Sequence, residues 1–478
     1  MTIGDRFRGV FKTRGEFDLT SGSIARPLFY LSLPIVVTNL FQTAYNLTDT
    51  FWLGQYSTNA LAAISFAFPM VFLLIALGMG ISVAGSVLVA QHTGADEPRE
   101  AEYAASQTVT FAALAAVVIG VVGYVFVDEF IGLLGASPAV LPLAAGYMRV
   151  ISLGLMFMFG FWIFVALLRG YGDTVTPMVV MAGSVAVNVA LDPFLIFGWG
   201  PFPELGVVGA AYATIFARSL AMIVGLWITL SGAHGVRIRL GEMTPDLAYF
   251  RRMVRIGAPA SVEVTGRALS VNLLLVIVGL FPTTVVAGYG IGVRVFSVIF
   301  LPAIAVARGV ETMTGQNVGA GEQDRAAAAN DFAARAMFAI LAAAGLLVWL
   351  TARPVVAVFT TNPAVIDTGA TFLRYVAPTF GFIGVLRAYT GGFRGAGRTL
   401  TAAAISVLML WVIRLPVAWF ASRSLGANGI WLSFAVSNVA GAAIAYCWFR
   451  RGTWRSADLT GPRGRAGATD TPDAAVDD

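Results

Sequence analysis

Cysteine and histidine are nearly absent from this chain: there is one cysteine, Cys447, and two histidines, His92 and His234. A lone cysteine in an apolar run excludes an intrachain disulfide framework and a cysteine-rich metal site. Two histidines in polar connectors exclude a histidine-based metal or catalytic cluster. No nucleotide-binding loop and no nucleophile constellation is present, so neither an enzyme nor a cofactor is expected. Charge is scarce as well, at 12% of residues, where a soluble surface needs roughly a quarter. Apolar residues are abundant instead, 58% of the chain with a mean hydropathy of +0.79. Lipid is the solvent that suits such a composition.

The net charge of +5 and the pI near 9.5 do not mark a nucleic-acid face, because the basic residues sit in tails and loops between apolar runs. Stretches long enough to cross a bilayer cover 27–53, 60–90, 103–127, 140–168, 174–198, 206–231, 252–281, 285–313, 330–359, 369–393, 399–420 and 427–449. That is about twelve spans. Connectors as short as Phe281-Pro-Thr-Thr284 make neighbouring helices antiparallel. With the N-terminus inside, Arg6, Arg8, Lys12, Arg14, Arg99, Arg237, Arg251, Arg325, Arg394, Arg450 and Arg451 fall in inside segments. Only Arg423 and the span-end Arg353 fall outside. This is the positive-inside pattern, with both tails cytoplasmic. The segment before Arg26 reads as a cytoplasmic tail and not a cleaved signal, since the first apolar run is too long and lacks a small-residue cleavage site.

The chain repeats itself in one register. Pro34 matches Pro259 (259 − 34 = 225), and Ala62–Ala287, Gln91–Gln316, Arg149–Arg374 and Arg169–Arg394 keep that offset. The local strings Leu168-Arg-Gly-Tyr-Gly-Asp-Thr174 and Phe393-Arg-Gly-Ala-Gly-Arg-Thr399 agree too. These glycine-rich strings follow no strand and read as tight turns, not phosphate loops. Each copy holds an even number of spans, so both share one orientation. The expected fold is an all-α polytopic membrane protein of about twelve transmembrane helices in two six-helix bundles, related by a pseudo-twofold along the membrane normal. Its parts are a tail at 1–26, a first lobe at 27–231, a cytoplasmic linker at 232–251, a second lobe at 252–449 and a tail at 450–478, disordered at its acidic end.

Charges within spans are costly and mark candidate functional residues. Asp49 lies near the outer end of the first span and Asp192 at similar depth in the fifth. Asn188 precedes Asp192 by one turn, Tyr45 precedes Asp49 by one turn, and Thr214 in the sixth span reaches the same level. Three helices thus bring two carboxylates, an amide and two hydroxyls to one depth. Such oxygen ligands suit a hard monovalent cation, and two neighbouring buried carboxylates repel in a way that favours sharing a proton. The plainer reading is a satisfied network that fixes helix packing. Pro34, earlier in the first span, is either a hinge or a static kink. In the second half, Glu263 and Arg267 (i, i+4) and Arg308 and Glu311 (i, i+3) read as self-neutralising in-helix pairs. Together with Arg294, they alternatively form an ionic network coupled to substrate or protons.

Taken together, Leu33-Pro34, Tyr45-Asn-Leu-Thr-Asp-Thr50, Val89-Ala-Gln91, Asn188-Val-Ala-Leu-Asp-Pro193, Gly209-Ala-Ala-Tyr-Ala-Thr214, Gly290-Ile-Gly-Val-Arg294 and Gly315-Gln-Asn-Val-Gly-Ala-Gly321 resemble the multidrug and toxic compound extrusion (MATE) transporters, DinF-like branch, over residues 25 to 450. The resemblance implies a twelve-helix pair of lobes that exports organic cations in exchange for Na+ or H+. It places the coupling site at Asp49, Asn188, Asp192 and Thr214, beside Tyr45, with Pro34 as the bending proline. A NorM-like sodium site in the second lobe is not expected, because Arg267 stands where that branch has a glutamate.

The expected activity is therefore secondary antiport of a small organic cation by a monomer in a prokaryotic cell membrane, with no metal beyond Na+ and no nucleic-acid partner. The alternatives are a flippase for lipid-linked saccharides, kept open by the second-lobe arginines, and a channel. Bulky Phe157, Met158, Phe159 and Trp162 either line a promiscuous pocket or simply pack. The excess of arginine over lysine and the acidic segment Thr469 to Asp478 point to a GC-rich or salt-adapted prokaryote.

Overall fold

Lipid offers a spanning backbone no water to bond with, so each apolar run closes its own hydrogen bonds as a helix. The structure is a computed structural model describing residues 11–456 and 459–460; the acidic segment Thr469 to Asp478 lies outside the described residues. The first lobe comprises α1 (Ala25–Tyr56), α2 (Thr58–Gly94), α3 (Pro98–Val125), α4 (Leu141–Leu153 with Leu155–Tyr171), α5 (Val175–Phe197) and α6 (Gly206–Ser231). The second comprises α7 (Leu247–Gly279), α8 (Thr283–Gly319), α9 (Gln323–Leu350), α10 (Pro363–Gly395), α11 (Thr399–Leu425) and α12 (Ala427–Arg450). The two halves of α4 meet at 55°, and counting them as one span gives 12 among the described residues. No strand occurs among the described residues.

Local chemistry sets several helix starts. The Ser57 side chain accepts from the Ala60 N–H to open α2, and Asn362 accepts from Ala364 and Val365 to open α10. Asp246 accepts from Ala248 and Tyr249, so α7 begins at Leu247, inside the segment read as linker. Arg251, Arg252 and Arg255 interrupt its first turns, so a count of continuous apolar residues starts too late. The ninth span shifts for a related reason: α9 runs from Gln323 to Leu350, and a separate short helix, Ala352–Ala357, takes up the rest. The alanines at 326–329 favour helix without forming a lipid-length apolar run. Around the outside, Val118, Trp227 and Leu347 are 63%, 71% and 63% exposed, which is the composition of a lipid-facing belt and not of a wetted surface.

The repeat becomes a contact pattern. Helix α2 packs on α7 and α1 on α8, pairs that exchange under the offset of 225, while α2 meets α8 at the axis. The approach is close enough to need glycine. A Cβ at Gly94 would sit 1.9 Å from the Gln316 carbonyl oxygen, and one at Gly319 would sit 1.9 Å from that of Gln91. Those two glycines are themselves repeat partners (319 − 94 = 225). Beside them, Gln91 Nε2 donates to the Gly395 carbonyl and Gln316 Nε2 to that of Gly170, each at 3.0 Å. The terminal segments clasp the same seam: Arg14 donates to the Tyr171 carbonyl at 3.3 Å and to Gln316 Oε1 at 3.4 Å, and the Leu459 N–H donates to Gln91 Oε1 at 2.9 Å. The lobes are therefore shut at the face that carries both terminal segments.

This closure predicts that Gly94→Leu wedges the seam open. With Cys447 replaced by Ser and a cysteine placed at Ala90, buried beside the seam, maleimide labelling should rise severalfold in the Gly94→Leu background. Equal labelling in both backgrounds would contradict the close approach.

Candidate functional site

Helix α1 packs on α5, and α5 on α6, which gathers the first-lobe polar residues into one buried pocket. Asn188 and Asp192 are fully buried, and Tyr45, Asp49 and Thr214 nearly so. The Asp49 and Asp192 carboxyls come within hydrogen-bonding reach of each other. Asn188 Nδ2 donates to Asp192 Oδ1 at 3.3 Å, and Tyr45 Oη donates to Thr214 Oγ1 at 2.7 Å. Three oxygens are left buried without a donor: Asp49 Oδ1, Asn188 Oδ1 and Asp192 Oδ2. Buried lone pairs are normally satisfied. Three unmatched ones in a single pocket form a donor set for a proton or a hard monovalent cation.

The structure adds two residues to this pocket. Tyr147 of α4 is buried close to Thr214 and the two carboxylates. Arg218 of α6 lies one turn beyond Thr214 and is 2% exposed. Its guanidinium donates to Gln42 Oε1 at 2.7 Å and covers the rings of Tyr45 and Phe161 at 4.9 and 5.0 Å. It also interacts electrostatically with Asp49. The rule that flagged Asp49, a charge inside a span, applies equally to Arg218 and could have found it.

Pro34 stands inside α1. A proline at this position leaves the carbonyl four residues earlier without its helical donor. That carbonyl, on Tyr30, accepts instead from the Thr174 hydroxyl at 3.5 Å. The turn at the start of α5 thus supplies the donor that the proline removes. Gly172, at φ +105°, shapes that turn, where a left-handed conformation favours glycine.

The second-lobe charges depart from the in-helix pairing expected of them. Arg267 does reach Glu263 at 3.4 Å and Arg308 reaches Glu311 at 2.9 Å. However, Arg394 of α10 bridges both acids, at 3.3 Å to Glu263 and 3.1 Å to Glu311. Ser406 of α11 adds a hydrogen bond to Glu263 at 2.9 Å. The result is one network across four helices, which sequence spacing missed because Arg394 was counted among the loop charges. Arg294 does not belong to it: its position on α8 is exposed, away from both acids. Of the bulky residues on α4, Phe159 and Trp162 line a cavity between the lobes, whereas Met158 packs in the first-lobe core and Phe157 is half-buried.

Two similar lobes, a closed seam on one face, an inter-lobe cavity and buried ionisable sites define a multi-pass membrane transporter. The MatE family profile matches residues 34–194 and again 259–420, the same 225-residue spacing, and the chain belongs to this family of MATE transporters. It is 26% identical over 445 residues to the probable multidrug resistance protein YpnP of Bacillus subtilis, covering 93% of this chain and 98% of that one. It is 25% identical over 421 residues to an FAD transporter of Shewanella oneidensis, covering 88% of this chain and 93% of that one. A solved MOP-superfamily transporter from Pyrococcus furiosus shares the fold, with a TM-score of 0.85 at 23% identity over 94% of this chain and 100% of that one.

The network generates a stability prediction. Arg394→Ala removes the bridge between two buried carboxylates, leaving each its in-helix arginine, and should cost about 1–3 kcal/mol, read as a fall in melting temperature in detergent. Arg267→Ala, which removes a partly exposed arginine and leaves Arg394 on Glu263, should cost less. Adding Glu263→Gln and Glu311→Gln to Arg394→Ala leaves Arg169, Arg267 and Arg308 with no acid to answer them and should deepen the loss.

Proposed function

We propose that this protein is a secondary active antiporter of a prokaryotic cell membrane that exports small organic molecules, drugs among them, in exchange for Na+ or H+ by alternating access. In this reading both termini are cytoplasmic, one chain is sufficient, and the site has the DinF-like arrangement. The observation that carries the reading is the set of three unmatched buried oxygens on Asp49, Asn188 and Asp192. With both carboxylates ionised and Arg218 charged, the pocket holds −2 + 1 = −1, so a single Na+ or H+ neutralises it. Binding that cation removes the repulsion between Asp49 and Asp192 and lets α1 and α5 draw together. Pro34, between the pocket and the closed seam, is where α1 can bend in response. The seam of Gln91, Gly94, Gln316 and Gly319 is the element whose opening alternates with that of the opposite face.

The resemblance implies organic cations as cargo. The charged groups on the cavity wall are arginines, however, and a relative is named as an FAD transporter. The same arginines favour the second reading, a flippase whose lipid-linked cargo carries pyrophosphate.

In inverted membrane vesicles, Asp49→Asn or Asp192→Asn should abolish transport of fluorescent organic ions while insertion is unchanged. Retained transport in both variants would sink the first-lobe mechanism. Running the assay with a Na+ gradient and then a pH gradient identifies the coupling ion. Arg218→Gln leaves the pocket at −2, so the Hill coefficient for the coupling ion should move from about one toward about two; an unchanged value would remove Arg218 from the charge balance.

A further inference from the structure

We propose that the cavity between the lobes binds an organic anion, a carboxylate or phosphate carried on a flat aromatic body, with Arg169 and Arg308 as its recognition residues. This rests on the transport reading above and names its substrate class. The cavity is about 250 Å³, a little below the roughly 300–1,000 Å³ of drug-sized sites, so it suits a ligand of one or two rings. Both lobes build the wall, α4 contributing Arg169 and α8 contributing Arg308. Among the described residues no acidic one lines it; Asn39 and Ser82 supply neutral polar groups, and Phe159 and Trp162 supply ring faces.

The charge behind the wall is unbalanced. Four arginines (Arg169, Arg267, Arg308 and Arg394) share two acids, Glu263 and Glu311, for a balance of 4 − 2 = +2. Arg394 is committed to both acids and Arg267 to Glu263. Arg308 gives one N–H to Glu311, and no other described residue takes its remaining donors. Arg169 forms no ion pair among the described residues, and its Nε is buried without an acceptor. Its carbonyl is held by the Thr312 hydroxyl at 3.1 Å, so the backbone is fixed while the guanidinium goes unmatched. One acceptor, Glu311 Oε1, is also unmatched, and it leaves the balance positive. The guanidiniums of Arg169 and Arg308 repel each other across the lobe boundary. A carboxylate or phosphate between them removes that repulsion and accepts in the paired geometry that arginine favours, while an aromatic body stacks on Trp162 and Phe159. An organic cation at the same place meets two like charges.

The test titrates the full-length protein in nanodiscs of neutral lipid with naphthoate, naphthyl phosphate and naphthylmethyl-trimethylammonium, which share a ring system and differ in charge. Both anions should bind and the cation should not. Arg169→Gln and Arg308→Gln should each weaken anion binding about tenfold or more, and the Arg→Lys variants should weaken it less. The wild-type comparison needs no variant, so a misfolded mutant does not decide the matter. A polyprenyl pyrophosphate forms the third anionic arm: tighter, arginine-dependent binding puts the anion on a lipid, and weaker binding puts it on a free solute. No anion binding, binding of the cation as tightly as the anions, or anion binding indifferent to both arginines overturns the proposal. Binding is read apart from transport, so a wild type that exports the cation but ignores the anions sinks only the anion site. A wild type that transports neither ion under either gradient sinks the antiport reading instead.

Discussion

An ionised group held inside the hydrocarbon layer must find its counter-charge within the protein, because neither water nor lipid supplies one. The two lobes meet this demand in opposite ways. In the second, Arg394 bridges Glu263 and Glu311 with further support from Arg267, Arg308 and Ser406, so both acids have arginine counter-charges. In the first, the one arginine beside the carboxylates among the described residues is Arg218, near Asp49, and three oxygens stay unmatched. In the proposed reading, with both carboxylates ionised, the first lobe is one positive charge short, and a Na+ or H+ that binds and leaves makes up the deficit.

That asymmetry sits on a symmetric frame. The offset of 225 residues places Gly94 against Gln316 and Gly319 against Gln91 at equal distance, so neither lobe owns the seam. Such backbone-to-backbone contacts have no flexible side chain to absorb movement. Closure there is in consequence an all-or-none fit, suited to two rigid bodies that rock. The clasp of Arg14 on Gln316 and of Leu459 on Gln91 applies the two ends of the chain to equivalent points of the same seam.

Much of this is legible in the sequence. Apolar run length reports spans directly, because lipid demands about 20 apolar residues. Depth counting from the span ends was sufficient to put Asp49, Asn188, Asp192 and Thr214 at one level. It failed where a partner came from a distant span: Arg394, 131 residues from Glu263 in sequence, looked like an ordinary loop charge at the end of its helix. It failed for Arg294 for the converse reason, since a charge within a span still chooses a face of its helix, and only packing decides which.

By itself, then, the sequence determined the solvent, the span count, the duplication and the residues able to carry charge in lipid. Each follows from composition or period, which are properties along the chain. Only the tertiary structure decided which charges meet, which oxygens remain unmatched and which arginines face the cavity. Those are outcomes of helix rotation and crossing. A turn of roughly 100° separates one residue from the next on a helix, enough to take a guanidinium from a carboxylate to a cavity wall.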